Sequence, residues 1–178
     1  AAAVASEKAL CLRDEMVRRR WRVLAPCTHS QPCPANLQNH GWCHDAWRFE
    51  RPKFMAKVDE IVGTRRQALK ATWGILERDG ACPKDKWSED IVKGQRVRAV
   101  SERFEEKGRT RIKVCGGDGL FELELQKRDR TPANAALNRA ERYSLLAFGD
   151  AAIVGNATRL GPTSWCHEVD EGVRESQD

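Results

Sequence analysis

Four cysteines constrain the fold of this chain more than any other feature of its sequence. Cys27, Cys33 and Cys43 fall within one stretch bordered by prolines, whereas Cys115 lies far downstream, just before a glycine-rich turn. A site that unites them can form only after folding brings residue 115 back to the first three. Iron–sulfur clusters are held by four thiolates, and structural zinc is held by four Cys or by Cys and His together. The pattern therefore indicates a metal site before it indicates any reaction.

Cysteine count and charge narrow the class of protein. The 178 residues include seven cysteines, an odd number, and no secretory segment, so we expect metal binding rather than a disulfide framework. No apolar run is long enough for a transmembrane helix, and we expect no membrane partner. The net charge is +5, with basic residues in clusters. Such clusters favour phosphate backbones, although a solvated surface is the alternative interpretation.

The first 80 residues have the pattern of an α/β unit. Apolar spacing predicts a helix over 6–20 with Ala9, Leu12 and Met16 on its buried face, followed by a strand over 21–25. Pro52 is placed to begin a second helix that stops at Gly63, with a further helical turn through about residue 69 and a strand over 71–76. We assign residues 1–80 to this α/β domain with its Cys-rich loop, and residues 81–94 to a linker.

From about residue 95 the apolar period changes to two, which is typical of half-buried antiparallel strands. The turn at 116–119 predicts a hairpin, residues 131–139 a short helix, and residues 142–148 and 151–159 a strand pair around Gly149 and Asp150. We assign 95–165 to a β-rich module and 166–178 to an acidic tail.

Two histidines complicate the metal site, because neutral imidazole is a normal zinc ligand. We expect His29 and His44 to lie next to the thiolate ligands without binding the metal themselves. The alternative is a zinc site in which His44 is a ligand together with Cys27, Cys33 and Cys43. The remaining cysteines at 11, 82 and 166 have no partner at a recognisable spacing, so each is expected to be a small buried hydrophobe.

Catalytic motifs are missing from the sequence. No glycine-rich turn joins a strand to a helix, and there is no Walker A sequence, nucleophile elbow or HExxH. We therefore predict no catalytic residues, and we expect no binding of S-adenosylmethionine by this chain alone.

The flanks of the cysteines resemble a known family. The runs 23–29 (VLAPCTH), 32–34 (PCP), 42–44 (WCH) and 114–116 (VCG) are similar to the signature of the methyltransferase-like proteins of the mitochondrial small ribosomal subunit. The resemblance implies the C-terminal part of a class I methyltransferase-like, Rossmann-type sheet, followed by a small antiparallel β-rich module. It also implies a [4Fe–4S] cluster held by Cys27, Cys33, Cys43 and Cys115.

The same resemblance implies a location in the mitochondrial matrix and contact with small-subunit rRNA and other small-subunit ribosomal proteins. The cofactor-binding half of the family fold has no counterpart in this sequence, so a separate chain could carry that N-terminal half. The main hypothesis is a structural or assembly component of the small subunit. The alternatives are one half of a split S-adenosylmethionine-dependent rRNA methyltransferase and a zinc-binding RNA-associated module. The residues expected to contact RNA are basic: Arg109, Arg111, Lys127, Arg128 and Arg130.

Overall fold

The computed structural model describes residues 2–37, 43–64, 68–78 and 94–169. Three helices and ten strands lie in these ranges. The helices are α1 (Ala2–Arg18), α2 (Pro34–Leu37) and α3 (Lys53–Val62). The strands are β1 (Trp21–Ala25), β2 (Asp45–Arg48), β3 (Ala68–Ala71), β4 (Ile75–Arg78), β5 (Gln95–Ala99), β6 (Phe104–Glu106), β7 (Arg109–Gly116), β8 (Gly119–Gln126), β9 (Leu145–Val154) and β10 (Ala157–Glu168). Two short 3₁₀ segments, Lys127–Asp129 and Pro132–Asn138, lie between β8 and β9. None of the helices in these ranges is long and apolar enough to cross a membrane.

The strands before residue 80 form two separate antiparallel pairs. Strand β1 pairs with β4, and β2 pairs with β3. The prediction of β1 is confirmed, and α3 ends as predicted at Gly63, whose φ of 70° is left-handed. The predicted helical turn through residue 69 is wrong, because Ala68–Ala71 is extended and pairs with β2. The α/β character is present, but the Rossmann-type parallel sheet is not confirmed by these two pairs.

The first helix buries a different face from the one its apolar residues predict. Ser6, Leu10 and Arg13 are only 2%, 5% and 7% exposed, whereas Leu12 is 62% exposed. Positions 6, 10 and 13 lie along one stripe of a helix. Two of the three are polar because this stripe packs on loop backbone, which offers hydrogen-bond acceptors.

Residues 95–168 form a closed barrel. The six-stranded sheet has the order β5-β9-β10-β8-β7-β6, and an additional pairing of β5 with β7 closes it. Strand β10 runs parallel to β8, and the other pairings are antiparallel. The predicted module is thus β-rich as expected, but mixed rather than purely antiparallel. Five strands in this order, with a helical segment before the fourth, have the topology of an OB-fold barrel.

The last hairpin of the barrel lies six residues beyond its predicted place. Strand β9 continues through Gly149 and Asp150, and the turn falls at residues 155–156. Gly149 is opposite Trp165, whose indole would lie within 2.7 Å of any Cβ at position 149. The glycine therefore makes room for an aromatic ring rather than for a turn. The predicted acidic tail also begins too early, because β10 extends to Glu168, and residues 170–178 lie outside the described ranges.

The hydrophobic core of the described residues belongs to the barrel. Ile112, Leu123, Leu125, Leu137 and Leu160 are fully buried within it. Leu137 comes from the second 3₁₀ segment, which packs beneath the strands. Most of the strongly exposed large apolar residues instead precede residue 79. The barrel therefore holds the main buried core of the described residues, and its Arg98 and Tyr143 donate hydrogen bonds to the cysteine loop.

Candidate metal centre at the cysteine loop

The four predicted ligands lie on two parts of the fold. Cys27 follows β1, Cys33 immediately precedes α2, and Cys43 lies two residues before β2. Cys115 is on β7 of the barrel rather than in the turn after it. Cys33 is buried, and the other three are half-buried. The structure thus places one barrel residue against the loop that carries the other three.

The thiols act on one another electrostatically. Burial raises the pKa of the Cys115 thiol to about 12, and the neighbouring charges of Cys27, Cys43 and Cys33 contribute to this rise. Burial, with Cys27 and Cys33, also raises the pKa of Cys43 to about 11. Burial likewise raises the pKa of Cys33. Thiols whose ionisation is opposed in this way are donors suited to a cation, because a metal replaces the thiol protons.

The positions of the side chains do not by themselves define a metal centre. Among the residues that the structure describes, no three His, Cys, Asp or Glu side chains are arranged to hold one metal ion. Four cysteines have the chemistry of a thiolate donor set, and the binding of a metal by this loop remains a prediction.

His29 lies beside Cys115, where it was expected to support the ligands. Its Nε2 is 3.7 Å from the Cys115 Sγ, and its Nδ1 accepts a hydrogen bond from the Gln31 backbone N–H at 3.2 Å. Burial and the nearby Arg13 lower the pKa of His29, which favours the neutral ring. Since Nδ1 accepts, a neutral ring carries its proton on Nε2, where it faces the sulfur. His29 can therefore donate to a thiolate at position 115.

His44 contacts the barrel through its backbone. The Tyr143 hydroxyl donates to the His44 carbonyl oxygen at 2.9 Å. Nearby, the Arg98 guanidinium donates to the carbonyl oxygens of Pro26 and of Tyr143. The loop is thus fixed to the barrel on both sides of the cysteine sites, after β1 and before β2.

Two adjacent residues of α1, Arg13 and Asp14, hold the loop from the other side. Arg13 donates to the carbonyl oxygens of His29 and Gln31, both at 2.8 Å. Asp14 accepts the Cys33 backbone N–H at 3.1 Å. Neither residue was predicted from the sequence to belong to the site. No local signal in the sequence points to them, because the stripe of Ser6, Leu10 and Arg13 is mostly polar and is buried only by contact with the loop.

The backbone of Cys43 has its own support. The hydroxyls of Ser6 and Thr72 lie 2.9 and 2.6 Å from the Cys43 carbonyl oxygen and 2.7 Å from each other. The helix was predicted to begin at residue 6, but α1 begins at Ala2, so Ser6 lies inside the helix. Its buried hydroxyl connects the first helix to the third cysteine of the loop.

The predicted RNA-contacting residues divide into two groups. Arg109 and Arg111 lie in a groove on the outer face of the barrel, where they form ion pairs with glutamates. Glu124 is almost fully buried there and accepts from Arg109 at 3.2 Å and from Arg159 at 2.9 Å. The other three, Lys127, Arg128 and Arg130, are exposed just after β8. Arg109 is opposite Gln126 in the β7–β8 ladder, so the exposed residues that follow β8 begin next to the Arg109 end of β7.

Taken together, the fold is an α/β segment with a Cys-rich loop held against an OB-like barrel. The family model for the mitochondrial small ribosomal subunit protein Rsm22 matches residues 4–145, and the chain belongs to this family. The family associates this protein with the small subunit of the mitochondrial ribosome and locates it in mitochondria. No curated protein and no solved structure matches the chain.

Proposed function

We propose that this protein is a structural or assembly component of the mitochondrial small ribosomal subunit, in which a [4Fe–4S] cluster joins the cysteine loop to the barrel and basic residues contact rRNA. The observation that carries the proposal is the meeting of Cys115, on the barrel, with the loop of Cys27, Cys33 and Cys43. The protein acts by its shape and its contacts, without catalysis by this chain.

The residues around the loop prepare it for such a cluster. Hydrogen bonds from Arg98 and Tyr143 already fix the loop to the barrel. His29 offers an N–H to the sulfur of Cys115, and hydrogen bonds to cluster sulfurs tune these centres. When bound, the cluster would supply four metal–thiolate bonds that link residues 27–43 to β7. By analogy with structural zinc, such bonds couple on the order of 10 kcal/mol of binding to folding.

Elemental analysis of protein purified without oxygen tests the metal. The proposal expects about four irons and four sulfides per chain, the content of a [4Fe–4S] cluster. One zinc per chain without sulfide would replace it with the zinc-binding alternative, in which His44 would be a ligand. Protein that retains neither metal, and cannot be reconstituted with either, would contradict the metal centre altogether.

A pair of cysteine variants tests the ligand set. Cys115→Ser removes the barrel's thiolate, so we expect loss of the bound iron and of its visible absorbance. Cys11→Ser is the matched control, because Cys11, which was wrongly predicted to be buried, is exposed on α1. Retention of full iron content by the Cys115→Ser protein would exclude Cys115 as a ligand.

The RNA contact is supported by the barrel topology and by where its charges lie. OB-fold barrels bind oligonucleotides on the face of their second and third strands, which correspond here to β7 and β8. Arg109 and Arg111 lie on that face, and Lys127, Arg128 and Arg130 extend it. Phosphate contacts by such groups make affinity fall steeply with salt.

Charge reversal tests this surface. We expect the Lys127→Glu/Arg128→Glu protein to bind a small-subunit rRNA transcript more weakly than the wild type and with a shallower salt dependence. The Lys53→Glu/Lys57→Glu protein is the control, since it makes the same change in net charge on the exposed surface of α3. Equal loss in both proteins would indicate non-specific attraction and would contradict this assignment.

A further inference from the structure

Arg13 is a buried cation at the centre of the cysteine loop. Its side chain is 7% exposed, and it forms an ion pair with Asp14 at 2.5 Å. Its two terminal nitrogens each reach a loop carbonyl at 2.8 Å, Nη1 that of Gln31 and Nη2 that of His29. A planar guanidinium can bind two carbonyls at once in this way, whereas an ammonium cannot reproduce the fork.

The carboxylate of the adjacent residue, Asp14, also binds the loop. Asp14 accepts the backbone N–H of Cys33 at 3.1 and 3.2 Å and the side-chain amide of Asn36 at 2.9 Å. The carbonyls at 29 and 31 and the amide at 33 are therefore all fixed by one dipeptide of α1. This segment is the part of the loop that separates Cys27 from Cys33.

Arg13 also brings a fixed positive charge into the loop. Its guanidinium donates to the carbonyls of His29 and Gln31, which lie between Cys27 and Cys33. Within the described residues its Nε is buried without a hydrogen-bond partner. A buried N–H of this kind has a strong need for an acceptor, and a thiolate is one.

Asp14 partly offsets the charge of Arg13, but its oxygens are also bound by the Cys33 amide and by Asn36. Arg13 is thus a buried cation held beside the segment that joins Cys27 to Cys33.

We propose that Arg13 is the positioning residue of the cysteine loop and the counter-charge of the anionic metal–thiolate centre that the loop holds. Four thiolates around a zinc ion or a [4Fe–4S] cluster carry a net negative charge, and a fixed cation beside them stabilises it. The positioning role stands on the contacts of the chain alone, whereas the counter-charge role rests on the proposed function.

Two variants separate the roles. Arg13→Gln removes the charge and the fork, whereas Arg13→Lys retains the charge and loses the fork. Arg19→Gln is the matched control, because Arg19 directly follows α1 with 69% of its side chain exposed and pairs only with Glu15 at the surface in the described contacts. If Arg13→Gln does not fold, Arg13→Lys still tests the positioning role, and a changed reduction potential or zinc affinity in Arg13→Lys would overturn the counter-charge role.

Positioning is measured in metal-free protein by amide hydrogen exchange of the peptide that covers residues 27–34. We expect both Arg13 variants to exchange about tenfold faster there, as for the loss of one charge-assisted hydrogen bond, and Arg19→Gln to match the wild type. Exchange that is unchanged in both Arg13 variants overturns the positioning role, whether or not the protein binds metal.

The counter-charge role of Arg13 is tested on metal-loaded protein. For bound iron the readout is the reduction potential, which we expect to become more negative in Arg13→Gln and to stay close to the wild type in Arg13→Lys. For bound zinc it is the affinity in competition with a chromogenic chelator, with the same order of variants. An unchanged potential or affinity in Arg13→Gln overturns this role. If the wild-type protein binds neither metal, both the counter-charge role and the proposed function are overturned. The hydrogen-exchange measurement still tests the positioning role in that case.

Discussion

The hydroxyl of Tyr143 donates a hydrogen bond of 2.9 Å to the carbonyl oxygen of His44, and these two residues lie 99 positions apart in the chain. Tyr143 has a left-handed φ of 76°, and the Arg142 guanidinium stacks 5.0 Å from the centre of its ring. A non-glycine residue adopts this conformation at a cost that its contacts must offset. The bond attaches the barrel to the residue directly after Cys43, so it helps to determine where the third thiol lies.

Replacing Tyr143 with Phe should weaken this attachment without changing the ring. The variant removes the hydrogen bond from the Tyr143 hydroxyl to the His44 carbonyl, and we expect a loss of about 1 kcal/mol in the free energy of unfolding, the typical net contribution of one hydrogen bond. We also expect faster removal of the bound metal by a chelator, because Cys43 is less restrained. Urea unfolding and timed chelation measure the two effects. Wild-type values for both would show that this bond does not position the loop.

Part of the site could be predicted from the sequence, because some signals are local. The strand before Cys27 and the left-handed Gly63 that ends α3 follow from short patterns of apolar residues, Pro and Gly, and both are confirmed. The proximity of Cys115 to the loop followed from a family pattern rather than from any physical rule about spacing. His29 was assigned a supporting role, and its Nε2 lies 3.7 Å from the Cys115 sulfur.

The errors have a common cause, which is a tertiary partner invisible to local reasoning. Leu12 fits an apolar stripe, but α1 buries Ser6 and Arg13 because the surface beneath them is loop backbone. Gly149 was interpreted as a turn, whereas it makes room for the Trp165 indole. In each case the residue type was informative, but the partner that explained it came from a distant part of the chain.

Glu124 provides a test of the charged groove on the barrel. Its carboxylate is 3% exposed and accepts from both Arg109 and Arg159, so Glu124→Gln leaves two guanidiniums without their shared counter-ion. Both arginines are partly solvated, which reduces the penalty, and we expect a loss of about 1–3 kcal/mol in the free energy of unfolding. Chemical denaturation in low and high salt measures it.

Glu106→Gln is the control for that measurement. Glu106 is exposed and also pairs with Arg109, at 2.7 Å, but water can replace it. We expect a smaller effect that vanishes in high salt, because exposed ion pairs are screened. Equal destabilisation by the two variants, or a salt-sensitive loss in Glu124→Gln, would mean that burial does not distinguish the two carboxylates.

The stability of the barrel should decrease at alkaline pH because of the buried thiol of Cys166. Burial raises its pKa from 9.0 to about 12, with a contribution from Glu168. The folded thiol therefore stays protonated where the unfolded one ionises. Its contribution is fully present below pH 9.0 and is lost as the pH rises towards 12. We expect the difference in unfolding free energy between wild type and Cys166→Ala to narrow above pH 9.0, measured by urea unfolding with reductant. A constant difference would contradict the raised pKa.

The barrel core should determine the stability of the described part of the chain. Leu137 is fully buried beneath the strands, so Leu137→Ala leaves a cavity and we expect a loss of about 2–5 kcal/mol in the free energy of unfolding. Ile153→Ala is the control, because its side chain is 85% exposed on β9, and we expect a change within about 0.5 kcal/mol. Thermal and urea unfolding of both proteins measure the contrast. A small effect at Leu137 would place the stabilising core outside the barrel, in the segments that contain the cysteine loop.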